Sequence, residues 1–334
     1  MNQFAKQQAA LTDRVLAAVG VSAREAFEVE EPGDGFRHGR VSAFDPAQFA
    51  GEGPDDYLSA HALRGPGPGA ALPDAVRRFL APDVPADRGR FVEYALYGYT
   101  DGFLPLDDPA GMDFPALRHP PRQIVTQRVA SRGLTLELDE DAGCLGAGWP
   151  QAKVAFLRGA LDRARLRRTV ALFVAGAVGV DKAWDGAADP DADVRAELDA
   201  QRLRASRVLY DGRAWSQRGR VAREQAAPLP EELARRFAVE AVQVLRADAA
   251  ACPAGDDGGQ VLLFCAADSL GRNDFSNLKT FTAPAANGAR YAAYVCRLGA
   301  GRWRVGVECH ETVALTSTVG LAVISVGQKQ NAAR

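Results

Sequence analysis

Cys309-His310-Glu311 places a thiol, an imidazole and a carboxylate side by side. That trio suggests nucleophile–base chemistry, in which histidine takes the proton of a cysteine. The segment Trp303–His310 reads as a strand, however, and adjacent strand side chains point to opposite faces. Cys309 and His310 therefore cannot pair with each other. Cys309 would need His38, His61 or His119, which all lie in the irregular N-terminal part, so a buried structural thiol is the better reading. No G-x-S-x-G motif is present to support hydrolase-type serine catalysis.

Other candidates fall in turn. Asp189, Asp191 and Asp193 imitate the opening of a calcium loop, but Val194 stands where glycine is needed and Ala200 where glutamate is needed. Their spacing around Pro190 suits the start of a helix, where acids cap free N–H groups and complement the dipole. Gly143-Cys-Leu-Gly-Ala-Gly148 lacks the G-K-[ST] ending of a phosphate loop and reads as a flexible joint. Asp139-Glu-Asp141 reads as a solvated edge. The sequence thus nominates no catalytic, cofactor-binding or metal-ligating residue, and no cofactor. Lys153, Arg158, Arg163, Arg165, Arg167 and Arg168 face a single local acid, Asp162, but wrap around their helix instead of lining one side. Ion pairs within or between subunits, with acids at 139–141 and 181–199, are expected over a DNA-facing stripe.

The elements that must carry these residues follow from patterning. Phe4, Leu11, Val15, Leu16 and Val19 give residues 1–30 a helical spacing that Gly20 can stop. Residues 31–90 are rich in Gly and Pro, with only short elements such as a helical stretch Pro73–Leu80. They read as an extended arm that needs neighbours, the alternative being a loop-rich lobe folded on its own body. An aromatic patch, Phe91, Tyr94, Tyr97, Tyr99 and Phe103, follows. Ile124–Val129 and Leu134–Leu138 alternate about Ala130–Gly133, as a hairpin or two sequential strands.

Pro150 then opens a helix with no internal proline to about Ala177, some 42 Å long at ~1.5 Å per residue. Val154, Leu157, Leu161 and Ala164 form one stripe in its first half. Leu166, Val170, Leu172, Phe173 and Val174 cover most of the circumference in its second, so that half is expected to be buried on several sides. Residues 180–280 read as an α/β unit: a helix from Pro190, a strand at Val208–Tyr210, a short helix at Ala214–Ala222, a helix or helix-to-strand at Leu233–Val244 and a buried strand at Val261–Cys265. Strands Tyr291–Leu298, Trp303–His310 and Val319–Val326 close the chain, with Gly299–Arg302 as a turn.

The 334 residues are 47% hydrophobic and 25% charged, values of an ordinary globular protein long enough for about two compact units. A net charge of −2 marks no nucleic-acid or acidic-membrane binder. Cys144, Cys252, Cys265, Cys296 and Cys309 are scattered, with no C-x-x-C, and read as reduced thiols of a cytoplasmic folding compartment. No secretory signal and no membrane-length apolar run is present.

Residues 122–220 carry a resemblance. The strand-like Arg122–Asp139 leads into the Arg-rich helix, then to Lys182-Ala-Trp-Asp-Gly, Asp189-Pro-Asp-Ala-Asp-Val-Arg-Ala-Glu-Leu198 and Arg207-Val-Leu-Tyr-Asp-Gly-Arg-Ala-Trp215. In segment order and short phrases this resembles the central part of the major capsid proteins of tailed bacteriophages, over about residues 90–326. The resemblance implies an α+β, HK97-like capsid fold with an N-terminal arm (1–88), an extended loop (89–125), a peripheral domain with a long spine helix (126–179), an axial α/β domain (180–290) and closing strands (291–334).

It further implies a non-enzymatic shell protein whose copies form the hexamers and pentamers of an icosahedral virion head around double-stranded DNA, bound without sequence specificity. Assembly in the host bacterial cytoplasm, a separate scaffolding protein, a portal and a decoration protein belong to the same expectation, and no membrane partner does. An encapsulin-type nanocompartment shell is the alternative of the same fold. A cytoplasmic α/β enzyme is the alternative of another class, and the lack of a convergent set of histidines and acids tells against it.

Overall fold

The computed structural model describes residues 39–49, 51–64, 78–86, 89–96, 104–105, 117–118, 123–139, 148–185, 188–201, 204–222, 228–245, 259–267, 276–299 and 301–327. The helix expected within 1–30, most of Pro73–Leu80, Tyr97–Phe103 and the glycine-rich 143–147 lie outside them.

A first sheet runs in the order β1 (Gly39–Ala43), β7 (Ser131–Asp139), β14 (Arg302–Leu315), β12 (Leu278–Ala283), β2 (Asp83–Pro85), with β13 (Tyr291–Gly299) pairing β14 outside that path. The long β14 is its axis. Residues 302–309 lie between β7 and β13, and 310–315 pair with β12. Its two faces differ in content. Val305, Val307 and Cys309 join Leu134, Leu136 and Leu138 in one core. On the other face, the rings of Phe44 and Phe49 press against Gly133 and Gly306, where a Cβ would collide with them.

Two helices cover the first of these faces: α1 (Asp56–Arg64) and α2 (Trp149–Gly176). α2 runs 28 residues, starts at Gly148 in the left-handed region (φ 95°) and carries Pro150 in its first turn, as its sequence requires. Val154, Leu157 and Leu161 meet β7, β13, β14 and Leu58 of α1. Further along, Leu166, Val170, Leu172 and Phe173 enter a second core with Leu209, Leu262, Phe264, Val313, Leu315 and Val323. α2 therefore bridges two sheets, which is why its second half is apolar nearly all round.

The second sheet has the order β10 (Ala241–Val244), β9 (Arg207–Tyr210), β11 (Gly259–Phe264), β15 (Ala322–Gly327), β8 (Val178–Ala183). β9 and β10 are parallel, β15 and β8 are parallel, and β11 is antiparallel to both its neighbours. Val208, Tyr210, Val261, Leu263, Ile324 and Val326 face α3 (Pro190–Ala200), α4 (Gly212–Ala222) and α5 (Pro230–Phe237), while the alternate residues face α2. Burial on both faces explains the unbroken apolar run of β11.

One expectation changes. Residues 31–90 do not lack a core where they are described: β1 pairs β7, α1 packs on α2 and β13, and β2 pairs β12. These stretches fold on their own body because partners distant in sequence supply the sheet edges. Of the two readings of Ile124–Val129 and Leu134–Leu138, the structure has the two sequential strands: β6 (Gln123–Arg128) pairs β3 (Phe91–Leu96), and β7 enters the first sheet. Leu278–Ala283 joins the first sheet, and Val178–Ala183 and Ala322–Gly327 join the second.

One backbone position yields a test. α5 ends at Ala238, which adopts φ 52° and is the sole non-glycine with positive φ among the described residues. Such a C-terminal position favours glycine. Ala238→Gly should therefore raise the unfolding free energy by about 0.5–1 kcal/mol, read as a higher urea midpoint at unchanged slope; a lower midpoint would refute the left-handed cap.

Candidate functional site: an anchored hairpin and a buried charge cluster

β3 and β6 form a two-stranded antiparallel sheet of their own, with Phe91 opposite Arg128 and Leu96 opposite Gln123. The short β4 (Leu104–Pro105) and β5 (Leu117–Arg118) pair within the span that they enclose, so the described strands of 91–128 nest as a hairpin. Alternation gives it two faces. Val92 and Tyr94 pack with Val84, Val129, Phe281, Ala283 and Ala314, and the Tyr94 ring stacks on Phe281 at 5.0 Å. On the other face Phe91 and Ile124 are 57% and 63% exposed.

The foot of this hairpin is fastened to β14. Val129 N–H donates to the Arg90 carbonyl at 2.6 Å, Ala130 N–H donates to Thr312 Oγ1 at 2.8 Å, and Glu311 N–H donates to the Ala130 carbonyl at 3.0 Å. Arg90 Nη2 lies 2.8 Å from His310 Nε2.

Beneath the foot, on the helix side of β14, lies a cluster of buried charge. Arg165 of α2 has a side chain only 3% exposed; it pairs with Asp83 at 2.7 Å and Glu311 at 3.3 Å, and donates to Thr280 Oγ1 at 2.8 Å. Arg290 grips Asp83 at 2.5 and 3.0 Å, and Arg168 approaches Glu311 at 3.5 Å. Burial alone would raise the Asp83 carboxyl, but Arg165 and Arg290 outweigh it and pull it down to about 2. Two turns earlier on α2, Arg158 is buried against Asp162, the carbonyl of Ala62 and the face of the Tyr291 ring. These groups tie α2 to β2, β12, β13, β14 and α1.

The residues singled out in the sequence are placed by this geometry. Cys309 and His310 do face opposite ways: Cys309 sits in the α2 core, where burial pushes its thiol well up, and His310 faces the hairpin foot. Asp189 caps α3 by accepting from the N–H groups of Asp191 and Ala192. Asp191 takes the Arg218 guanidinium at 2.7 and 2.8 Å, while Asp193 accepts from Trp184 at 3.0 Å and pairs with Lys182 at 3.1 Å. Thus Lys182-Ala-Trp and the acidic start of α3 form one joint. The acids serve α3 and α4, and among the described residues no group of three or more His, Cys, Asp or Glu could hold a metal.

The expected partners of the helix arginines need correction. Among the described residues, Arg165 and Arg168 pair with Asp83 and Glu311 and not with the acids of 181–199, which the second sheet and its helices carry away from the middle of α2; Glu140 and Asp141 lie outside the described residues. Asp83, Thr280 and Arg290 were missed in the sequence. Asp83 in the apolar Phe79-Leu-Ala-Pro-Asp-Val84 was the available signal, since an acid flanked by buried residues must find a cation.

No protein-family model and no curated protein matches the chain. Among solved structures, a phage-related protein from Bordetella bronchiseptica RB50 matches with a TM-score of 0.51 at 17% identity, over 82% of this chain and 97% of that one. A virus-like particle from Pyrococcus furiosus scores 0.48 at 10% identity (80% and 98% covered), and the holo-SrpI encapsulin complex from Synechococcus elongatus PCC 7942 scores 0.46 at 13% (88% and 99%). The last two scores are too low to carry an argument. The first shows that this α+β fold, of the class that the sequence implied, is shared with a solved phage-related protein.

Removing one partner from such a cluster leaves charges buried and uncompensated. Arg165→Met should cost about 3–5 kcal/mol, seen as a fall in the urea midpoint, with little relief from added salt. Because the Asp83 carboxyl is depressed in the folded state, its contribution is present above its ordinary value of 3.8 and lost as pH falls toward about 2. Asp83→Asn should remove that part of the acid unfolding slope; an unchanged slope would contradict the pairing.

Proposed function

We propose that this chain is a shell subunit, the major capsid protein of a tailed-phage head, whose work is assembly. The observation that supports it most is a two-sheet body locked by α2, from which a long, separately paired hairpin departs at Phe91 and returns at Arg128. A fold shared with a phage-related protein and the segment order of residues 122–220 support the same reading.

On this reading the hairpin is the extended loop, α2 the spine helix of a peripheral domain built on the first sheet, and the second sheet with α3–α5 the axial domain. Phe91, Ile124, Tyr57 and Leu229 each expose more than half of a large apolar side chain, surface that a neighbouring copy would cover. Rings of six and five made from one sequence require a part that adapts, and a separately paired hairpin supplies it. A net charge of −2 suits a wall that encloses double-stranded DNA without gripping it. The partners are other copies of itself, with scaffolding, portal and decoration proteins as separate chains; the assembled protein resides in the virion and its catalysis is none.

Sedimentation velocity of the protein co-expressed with its scaffold tests this. Large closed particles or capsomer rings are expected, and particles from a phage-producing host should hold double-stranded DNA. A stable monomer despite scaffold would overturn the proposal. Particles filled with a protein cargo would replace it with an encapsulin-type container.

A further inference from the structure

His310 is only 2% exposed, yet one of its nitrogens meets a guanidinium. Arginine has hydrogens to donate and no lone pair to accept with, so Nε2 must be the acceptor and the ring proton must sit on Nδ1. Nδ1 is buried and has no hydrogen-bond partner. The site therefore holds imidazole in its neutral form, at the foot of the hairpin.

Its surroundings leave few other charges to consider. Arg90 comes from the turn before β3. Glu308, two residues back on the same face of β14, accepts from the Tyr294 hydroxyl at 2.8 Å and from Ala286 N–H at 3.4 Å. Opposite His310 stand Ser131 of β7 and Ala283 of β12, neither of which titrates. Glu311 and Cys309 belong to the other face, where Arg165, Arg168 and Arg290 hold the carboxylate.

We propose that His310 is a proton-operated latch on the hairpin: neutral, it holds Arg90 and keeps the foot on β14; protonated, it repels Arg90 and lets the foot lift. Protonation removes the acceptor lone pair and sets two cations side by side. Glu308 offsets part of that repulsion, but its carboxylate is already engaged. Arg90 is largely exposed and can swing into water at little cost.

Burial first, and Arg90 second, hold the imidazole below its ordinary value of 6.5, against the opposing pull of Glu308. The open foot thus binds a proton more readily than the closed one. Closure loses stability as pH falls through the ordinary value and stops losing it once the closed form is protonated too. The latch deepens the shell reading, on which the hairpin is the contact element, by giving that element a regulator.

Hydrogen exchange of the unassembled subunit tests it, with rates corrected for their intrinsic pH dependence. Between about pH 7.5 and about pH 5, protection of amides in 90–96 and 123–130 should fall, while β11 stays protected. In His310→Gln, which can accept from Arg90 but does not titrate, protection should be independent of pH. In Arg90→Met the pH dependence should weaken without vanishing, since burial alone still disfavours the protonated ring in the closed form, so the test survives if His310→Gln does not fold. Protection that ignores pH in the unaltered protein, or the same pH dependence in either variant, would overturn the latch. The readout needs no particles, so a failure to assemble and a failure of the latch are separate results.

Discussion

The Arg165 guanidinium sits near the middle of α2, buried to 3%, and meets Asp83 from 82 residues before it and Glu311 from 146 residues after it. A charge taken that far out of water is tolerated only when its partners are all in place. Its pairing therefore fixes the rotation of α2, and the stripe Val154, Leu157, Leu161 falls on β7 and β14 as a consequence. It fixes the register of β14 as well. A slip of one residue would turn Glu311 away from α2 and bring His310 in, exchanging a paired anion for a neutral ring beside buried cations.

The two faces of β14 consequently do different work. On the helix face, Cys309, Glu311 and Val313 belong to the closed body, whose ion pairs involve guanidinium groups and a carboxyl held at about 2, and so do not change near neutral pH. On the other face, Glu308, His310 and Thr312 meet the flanking loops and the hairpin foot, through hydrogen bonds from a tyrosine hydroxyl, the Arg90 guanidinium and a backbone N–H. A subunit built this way keeps one rigid part and one separately held part. That is the division a protein needs if one sequence is to occupy slightly different places in a closed container.

What local pattern encodes was legible from the sequence. α2 was, because Pro150 starts it and no proline interrupts it, and because its apolar stripe widens where it passes between two sheets. The Asp189 cap was legible for the same local reason. β1, α1 and β2 were not seen to belong to the body, since their Gly- and Pro-rich surroundings hide short elements whose partners, β7, β13 and β12, lie far along the chain. β8 escaped notice because it is an exposed edge strand carrying Asp181 and Lys182. The charge cluster was half visible: the arginines were identified, but Asp83 and Glu311 approach α2 only through the folded sheet, and no spacing in the sequence links them to it.

Cryo-electron microscopy of the assembled protein tests the central claim most directly, since it images both the container and the contacts of the hairpin. The account predicts closed icosahedral particles in which residues 91–128 of one copy lie against a neighbouring copy, with Asp83, Arg165 and Glu311 still paired inside each subunit. Isolated subunits, or particles in which the hairpin touches no neighbour, would contradict it.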